Sequence, residues 1–132
     1  MKTNHINQTV TFLASAQEVY EALLDEKKHA AFTGAEANID RSENGNFDMY
    51  EGYCHGYNIE LVKNEKIVQA WHFAEEGWPD DHYSICTFAL EQIDDKTKLT
   101  FIQTDVPEHK VTALTSGWEE FYWKPLAIYL KH

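Results

Sequence analysis

Histidine and cysteine are the residue types in this chain that could bind a metal ion, but their spacing predicts no site. The seven histidines are His5, His29, His55, His72, His82, His109 and His132. They form no His-x-His or His-x-x-x-His pair, and the two cysteines form no Cys-x-x-Cys pair. Zinc sites draw three or four such ligands, usually from closely spaced pairs. No glycine-rich phosphate loop is present either. We therefore expect neither a metal nor another cofactor.

Nucleophilic and acid–base chemistry is equally unsupported by the motifs. Ser84 has no Gly-x-Ser-x-Gly sequence around it, and Cys86 is typical of a buried, small hydrophobic side chain. The adjacent acids Glu75 and Glu76 could transfer protons in principle, but such neighbours on a loop usually face water. We therefore assign no catalytic residue and expect a binding protein. A cavity enzyme such as a hydrolase or cyclase remains open.

Length and charge exclude several partners. The chain has 132 residues, with 22 acidic and 11 basic side chains and a net charge of −11. Phosphate backbones and anionic membrane surfaces attract clustered lysine and arginine, so we expect neither as a partner. No apolar run approaches the length that spans a membrane, so we expect no membrane insertion. The first residues include no apolar leader, and we expect a single domain over residues 1–132 in the cytoplasm, with both cysteines reduced.

Strand alternation places some polar side chains among large apolar ones. Phe88 shares its predicted face with Ser84, and Phe101 shares its face with Gln103, because every second residue of a strand points the same way. Buried polar groups require hydrogen-bond partners. Those partners could be one another, ordered water or a ligand, and the pattern does not choose among them.

The first third of the chain predicts a strand followed by two short helices. Apolar residues alternate from Ile6 to Phe12, which is typical of a half-buried strand. Ser15 and Glu18 match a capping box at the start of a helix. A second helix is predicted from Asp25 to Phe32 and should end at Gly34.

About six strands are predicted after Ala35, joined in sequence by short turns. Asn44-Gly45 is a strong hairpin signal because both residues tolerate positive φ. Tyr57 begins an apolar alternation through Ile59 and Leu61, from which we place its side chain inward. Strands on successive hairpins form an antiparallel meander, and one face of such a sheet must be covered.

A long C-terminal helix is predicted from Ser116 to Leu130 as that cover. Ser116 with Glu119 matches a capping box, although the apolar face extends backwards and would also allow a start near Thr112. Pro125 should remove a bond to the Phe121 carbonyl and kink the helix. The predicted fold is α+β: a curved antiparallel sheet of six or seven strands wrapped on this helix.

Several motifs together resemble one known family. They are Gly117-Trp118 followed by Phe121-Tyr122-Trp123 and Leu126, the preceding Val106-Pro107, and Trp71 followed by His82-Tyr83-Ser84. In order and spacing they are similar to the domain of activator of heat-shock protein 90 ATPase homologues, within the START-like or SRPBCC superfamily. The resemblance runs from about Val10 to Leu130. It implies a helix-grip fold with an apolar cavity between sheet and helix.

The resemblance implies non-enzymatic binding of a hydrophobic or aromatic small molecule, such as a lipid, sterol or polyketide-like compound. Ser84 and Gln103 would orient the ligand. The cavity walls would be Phe47, Met49, Tyr57, Trp71, Phe88, Phe101, Trp118, Phe121, Tyr122 and Pro125. The alternative implied by the family is a protein–protein role as a partner of the chaperone heat-shock protein 90.

Overall fold

A computed structural model of the chain describes residues 1–131, so His132 lies outside the described residues. Two short helices follow the first strand, and six strands then precede the C-terminal helical segments. The strands are β1 (Thr3–Phe12), β2 (Ala37–Ile39), β3 (Asn46–Met49), β4 (Cys54–Val62), β5 (Lys66–Phe73), β6 (Ser84–Ile93) and β7 (Lys96–Pro107). The helices are α1 (Ala16–Leu24), α2 (Glu26–Thr33), α3 (Val111–Trp118) and α4 (Lys124–Leu130).

The seven strands of residues 1–131 form one antiparallel sheet in the order β1-β7-β6-β5-β4-β3-β2. The chain starts at one edge, crosses to the other through α1 and α2, and returns by hairpins until β7 pairs with β1. A turn of 3-10 helix (Glu108–Lys110) then leads into α3, a π-helical turn (Glu119–Trp123) and α4. We call residues 111–130 the C-terminal helix. It covers the concave face of the sheet, which confirms the predicted helix-grip fold.

The ends of the two short helices follow local sequence signals. Ser15 and Glu18 form the predicted capping box, with the Glu18 backbone N–H donating to Ser15 Oγ at 3.1 Å. The Asp25 carboxylate accepts from the N–H groups of Lys27 and Lys28 at the start of α2. Gly34 ends α2 with φ of 78°. A side-chain cap of this kind stabilises a helix by about 1 kcal/mol.

The predicted start of the C-terminal helix at Ser116 is wrong. The helix begins at Val111, so Ser116 lies inside α3 and does not cap it. Val111 and Leu114 pack against the core, and this contact favours the extra helical turn over a start at Ser116. The alternative start near Thr112 was within one residue of the observed one.

Pro125 lies in the first turn of α4, directly after the π-helical turn. Because proline has no N–H, it leaves the Phe121 carbonyl without its usual α-helical donor. The Tyr50 hydroxyl donates to that carbonyl oxygen at 3.4 Å. The wider turn also lets the consecutive residues Tyr122 and Trp123 both be buried.

The predicted inward direction of Tyr57 is also wrong. Gly56 and Asn58 face the concave side of β4 and are buried, whereas Tyr57 lies on the convex face and is 39% exposed. A β-bulge between Asn58 and Glu60 shifts the register against β5, so alternation cannot be carried through it.

Asn58 is inward because its side chain satisfies several buried polar groups. Its amide nitrogen donates to the carbonyls of Asp40 at 2.8 Å and Ser42 at 3.0 Å. Its side-chain oxygen accepts from Gln69 Nε2 at 3.0 Å. One buried asparagine therefore holds the β2–β3 hairpin loop against the sheet.

Candidate functional site

A cavity of about 410 Å³ lies between β4, β5 and the C-terminal helix. The sheet and its loops supply one wall, and the helix supplies the other. Seven of the twelve lining residues are aromatic. The lining residues are Tyr50, Tyr53, Cys54, Trp71, Phe73, Glu75, Ala113, Leu114, Gly117, Trp118, Phe121 and Tyr122. Phe121 is 61% exposed and stands at the solvent side, so the cavity has a mouth there.

The structure places four of the predicted wall residues on this lining, namely Trp71, Trp118, Phe121 and Tyr122. The others do not line it. Phe47, Met49, Phe88 and Phe101 are buried side chains of the surrounding core. Pro125 lies further along the helix, and Tyr57 is on the convex face of the sheet.

Ser84 and Gln103 are buried, but they are not on the lining. Both form hydrogen bonds with other protein groups. Trp118 Nε1 donates to Gln103 Oε1 at 2.8 Å, and Gln103 Nε2 donates to Ser84 Oγ at 2.8 Å. Ser84 Oγ donates in turn to the Trp71 carbonyl at 3.2 Å. These two residues therefore hold the Trp118 indole in place against the sheet.

A second glutamine holds the other tryptophan of the cavity. Trp71 Nε1 donates to Gln69 Oε1 at 2.8 Å, and Gln69 Nε2 bonds Asn58. Gln69 lies two residues from both Ile67 and Trp71 along β5, so it shares their face, and this spacing is a signal that could have identified it. Each indole on the lining is thus fixed by one buried amide, which gives the aromatic walls defined orientations.

Sequence reasoning missed the residues of the β3–β4 loop. Tyr50 and Glu51 have φ of 55° and 57°, in the left-handed region that side chains other than glycine seldom adopt. This backbone turns Tyr50 and Tyr53 towards the C-terminal helix. Gly52 marked a turn in the sequence, but the direction of the two tyrosines depends on contacts with a helix far along the chain.

Glu75 lies at the mouth within a network of charged and polar groups. The Tyr53 hydroxyl donates to the Glu75 carboxylate, and Lys110 Nζ lies 3.1 Å from Glu75 Oε1. Lys110 also donates to the Glu76 carbonyl at 2.6 Å. Burial, followed by the bond to Glu75, raises the pKa of the Tyr53 phenol, which therefore stays protonated at neutral pH. The β5–β6 loop is thereby tied to the start of the C-terminal helix.

His29 and Tyr122 form a buried pair behind the cavity. His29 Nε2 and the Tyr122 hydroxyl oxygen lie 2.8 Å apart, and His29 is only 1% exposed. Burial lowers the pKa of His29 to about 4, so the ring is neutral at pH 7. Within residues 1–131, His29 Nδ1 has no hydrogen-bond partner.

Neither cysteine thiol is activated as a nucleophile, and the described residues contain no metal cluster. Burial raises the pKa of both thiols, Cys54 and Cys86, so each is protonated at neutral pH. Within residues 1–131, no group of three His, Cys, Asp or Glu side chains is placed to hold a metal ion. No helix in the same range is long and apolar enough to cross a membrane.

Comparison with known proteins identifies the family. The family model described as Activator of Hsp90 ATPase homolog 1-like protein matches residues 13–131. An uncharacterized Schizosaccharomyces pombe protein is 32% identical over 96% of this chain and 37% of its own length. The human Activator of 90 kDa heat shock protein ATPase homolog 1 is 28% identical over 86% of this chain and 33% of its own length.

The chain thus spans about a third of the length of these curated relatives. A crystal structure of an HSP90 activator from Plasmodium falciparum shares the fold, with a TM-score of 0.80 and 20% identity. That match covers 91% of this chain and 90% of the other. Taken with the helix-grip architecture, the family match confirms the resemblance noted in the sequence. The chain belongs to the Activator of Hsp90 ATPase homolog 1-like protein family.

Proposed function

We propose that this protein binds a hydrophobic or aromatic small molecule in the cavity between the sheet and the C-terminal helix. The observation that carries the proposal is the cavity of about 410 Å³ with aromatic residues at seven of its twelve lining positions. Small-molecule pockets are usually about 300–1,000 Å³, mostly apolar, with few polar groups. A lipid, sterol or polyketide-like compound has the matching chemistry.

The proposed role is binding without covalent chemistry. Cys54 is the cysteine on the lining, and its raised pKa leaves it a poor nucleophile. The side-chain amides of Gln103 and Gln69 and the hydroxyl of Ser84 lie off the lining and are bonded to tryptophan and backbone groups. The two free buried cysteines also agree with our proposal of a cytoplasmic location, where thiols stay reduced.

Gly117 provides a direct test of the cavity. A Cβ at this position would meet nothing closer than Phe121 Cδ2 at 4.0 Å, so there is room for a side chain. Gly117→Leu should fill the cavity and abolish binding of apolar probes, measured by tryptophan fluorescence and isotope-edited NMR. Because leucine favours a helix over glycine by about 0.8 kcal/mol, the fold should persist. Thr112→Leu, at an exposed helical position off the lining, is the matched control. Unchanged binding by Gly117→Leu would contradict the site.

A second candidate role is that of a chaperone partner. Its support is the name of the human relative together with two exposed apolar side chains, Phe121 and Ile128, on the C-terminal helix. A contiguous exposed apolar patch marks a protein contact, and we take these two side chains as parts of one. A heat-shock protein 90 ATPase and pull-down assay with the wild type and a Phe121→Ser, Ile128→Ser double variant tests this role. Absence of any effect by the wild type would end it.

A further inference from the structure

The charges around the cavity mouth have one predominant sign. Of the twelve residues that line the cavity in the described part of the chain, Glu75 is the one Asp, Glu, Lys, Arg or His. Four exposed acids, Glu51, Glu76, Glu119 and Glu120, directly adjoin lining residues in sequence. The chain as a whole carries a net charge of −11. Such a field raises the local concentration of cations and repels anions.

The mouth already holds one ammonium group. Lys110 Nζ is 3.1 Å from the Glu75 carboxylate and donates to the Glu76 carbonyl at 2.6 Å. Lys110 is not on the cavity lining, so its ammonium approaches Glu75 from outside the cavity. The contacts show that acceptor groups at the mouth can coordinate an ammonium ion. The ion-pair partner of Lys110 is Glu75, and its second acceptor is the uncharged backbone carbonyl of Glu76.

Aromatic rings surround the same opening. Tyr50, Tyr53 and Phe121 belong to the lining and stand on the loop and helix that border the mouth. An ammonium group over the face of such rings is attracted by their quadrupoles, and aromatic enclosures are used to recognise quaternary ammonium ligands. An anionic head group would instead face the Glu75 carboxylate and the negative faces of the rings.

We propose that the cavity selects an apolar ligand that carries a cationic ammonium head group, with the apolar part inside and the head at Glu75. This inference rests on the proposed function, since it assumes that the cavity binds a ligand. Trp71, Trp118 and Tyr122 enclose the apolar part. The aromatic rings and the Glu75 carboxylate receive the head at the mouth.

Three probes with one alkyl chain test the selection: decyltrimethylammonium, decanol and decanoate, each kept below its aggregation concentration. Affinities are measured by calorimetry and by tryptophan fluorescence. We expect the ammonium probe to bind about tenfold more tightly than decanol, and decanoate to bind most weakly. If decanol binds and the ammonium probe binds no better, the inference fails while the proposed function stands. If none of the three binds, the proposed function fails with it.

Two variants locate the discrimination. Glu75→Gln should remove most of the advantage of the ammonium probe over decanol, whereas Glu91→Gln on β6 should leave the ratio of the two affinities unchanged. Lys110→Met should leave the ammonium probe bound at least as tightly, because it removes a competing cation from Glu75. The proposal would be overturned by two results together: the wild type binds decanoate more tightly than the ammonium probe, and Lys110→Met loses decanoate binding. These results would show that Lys110 holds an anionic head group.

Discussion

The space between sheet and C-terminal helix has two halves, one filled and one open. In the filled half, between β6, β7 and the helix, Phe101 lies 4.5 Å from Trp118 and 5.2 Å from Phe88 between ring centroids. Trp118 also stacks on Trp123 at 5.6 Å. In the open half, the aromatic rings of β5 and the β3–β4 loop surround the cavity instead.

The two halves differ in packing because of the side chains that the C-terminal helix presents to each of them. The helix packs Trp118 and Trp123 against Phe101 in the filled half. Its side of the cavity includes two small residues, Ala113 and Gly117, among the larger lining residues Leu114, Trp118, Phe121 and Tyr122. Aromatic residues alone therefore do not produce a cavity. Large side chains from two walls interdigitate to close packing, and small residues on one wall leave space that the other wall cannot fill.

The largest expected effect is in the filled half. Phe101→Ala removes a fully buried ring that contacts Phe88, Trp118 and Trp123, and it should lower the free energy of unfolding by about 3–5 kcal/mol. Urea denaturation with a constant m-value measures this. A loss below about 1 kcal/mol would mean that the filled half is looser than its ring distances indicate.

The second-largest loss of stability should come from acidification, through the contact of His29 with Tyr122 between α2 and the C-terminal helix. The folded pKa of His29 is about 4, below the usual 6.5, so the unfolded chain binds the proton more readily. Stability from this group is therefore complete above pH 6.5 and is lost as the pH falls through 4, by about 3 kcal/mol in total. His29→Gln stays neutral and should flatten this part of the profile. Identical profiles for the two proteins would contradict the assignment.

A smaller effect is expected from the amide that holds Trp118. Gln103→Leu leaves the buried indole N–H of Trp118 without its acceptor, which should cost about 2 kcal/mol. The free energy of unfolding and the NMR shift of the Trp118 indole proton are the measurements. An unmoved indole resonance would show that packing alone positions the ring.

The smallest stability effect should come from the mouth of the open half. Phe121 is 61% exposed, so Phe121→Ala should change the free energy of unfolding by less than about 0.5 kcal/mol. Apolar probes should nevertheless bind more weakly, because the ring lines the cavity. Ile128→Ala, which removes an exposed apolar side chain of the same helix away from the lining, is the control. Equal probe binding by both variants would separate Phe121 from the site.

Local signals determined much of the fold. The Ser15–Glu18 capping box and Gly34 mark helix ends through hydrogen bonds within a few residues, so the sequence contains all the interacting groups. The apolar face of the C-terminal helix and the strand alternation likewise predicted the helix-grip architecture. The resemblance to the family added the expectation of a cavity.

Tertiary structure alone decided where the cavity lies. The direction of Tyr57 depended on a bulge set by pairing with β5. Ser116 lies within the helix, rather than at its start, because core contacts extend the helix towards its N-terminus. Gln103 could be recognised as inward, but only the fold shows that its partner is Trp118 rather than a ligand. The site combines a loop in left-handed conformation with a helix more than 50 residues later in the sequence. Such pairings depend on distances in space, which periodicity along one strand or helix does not contain.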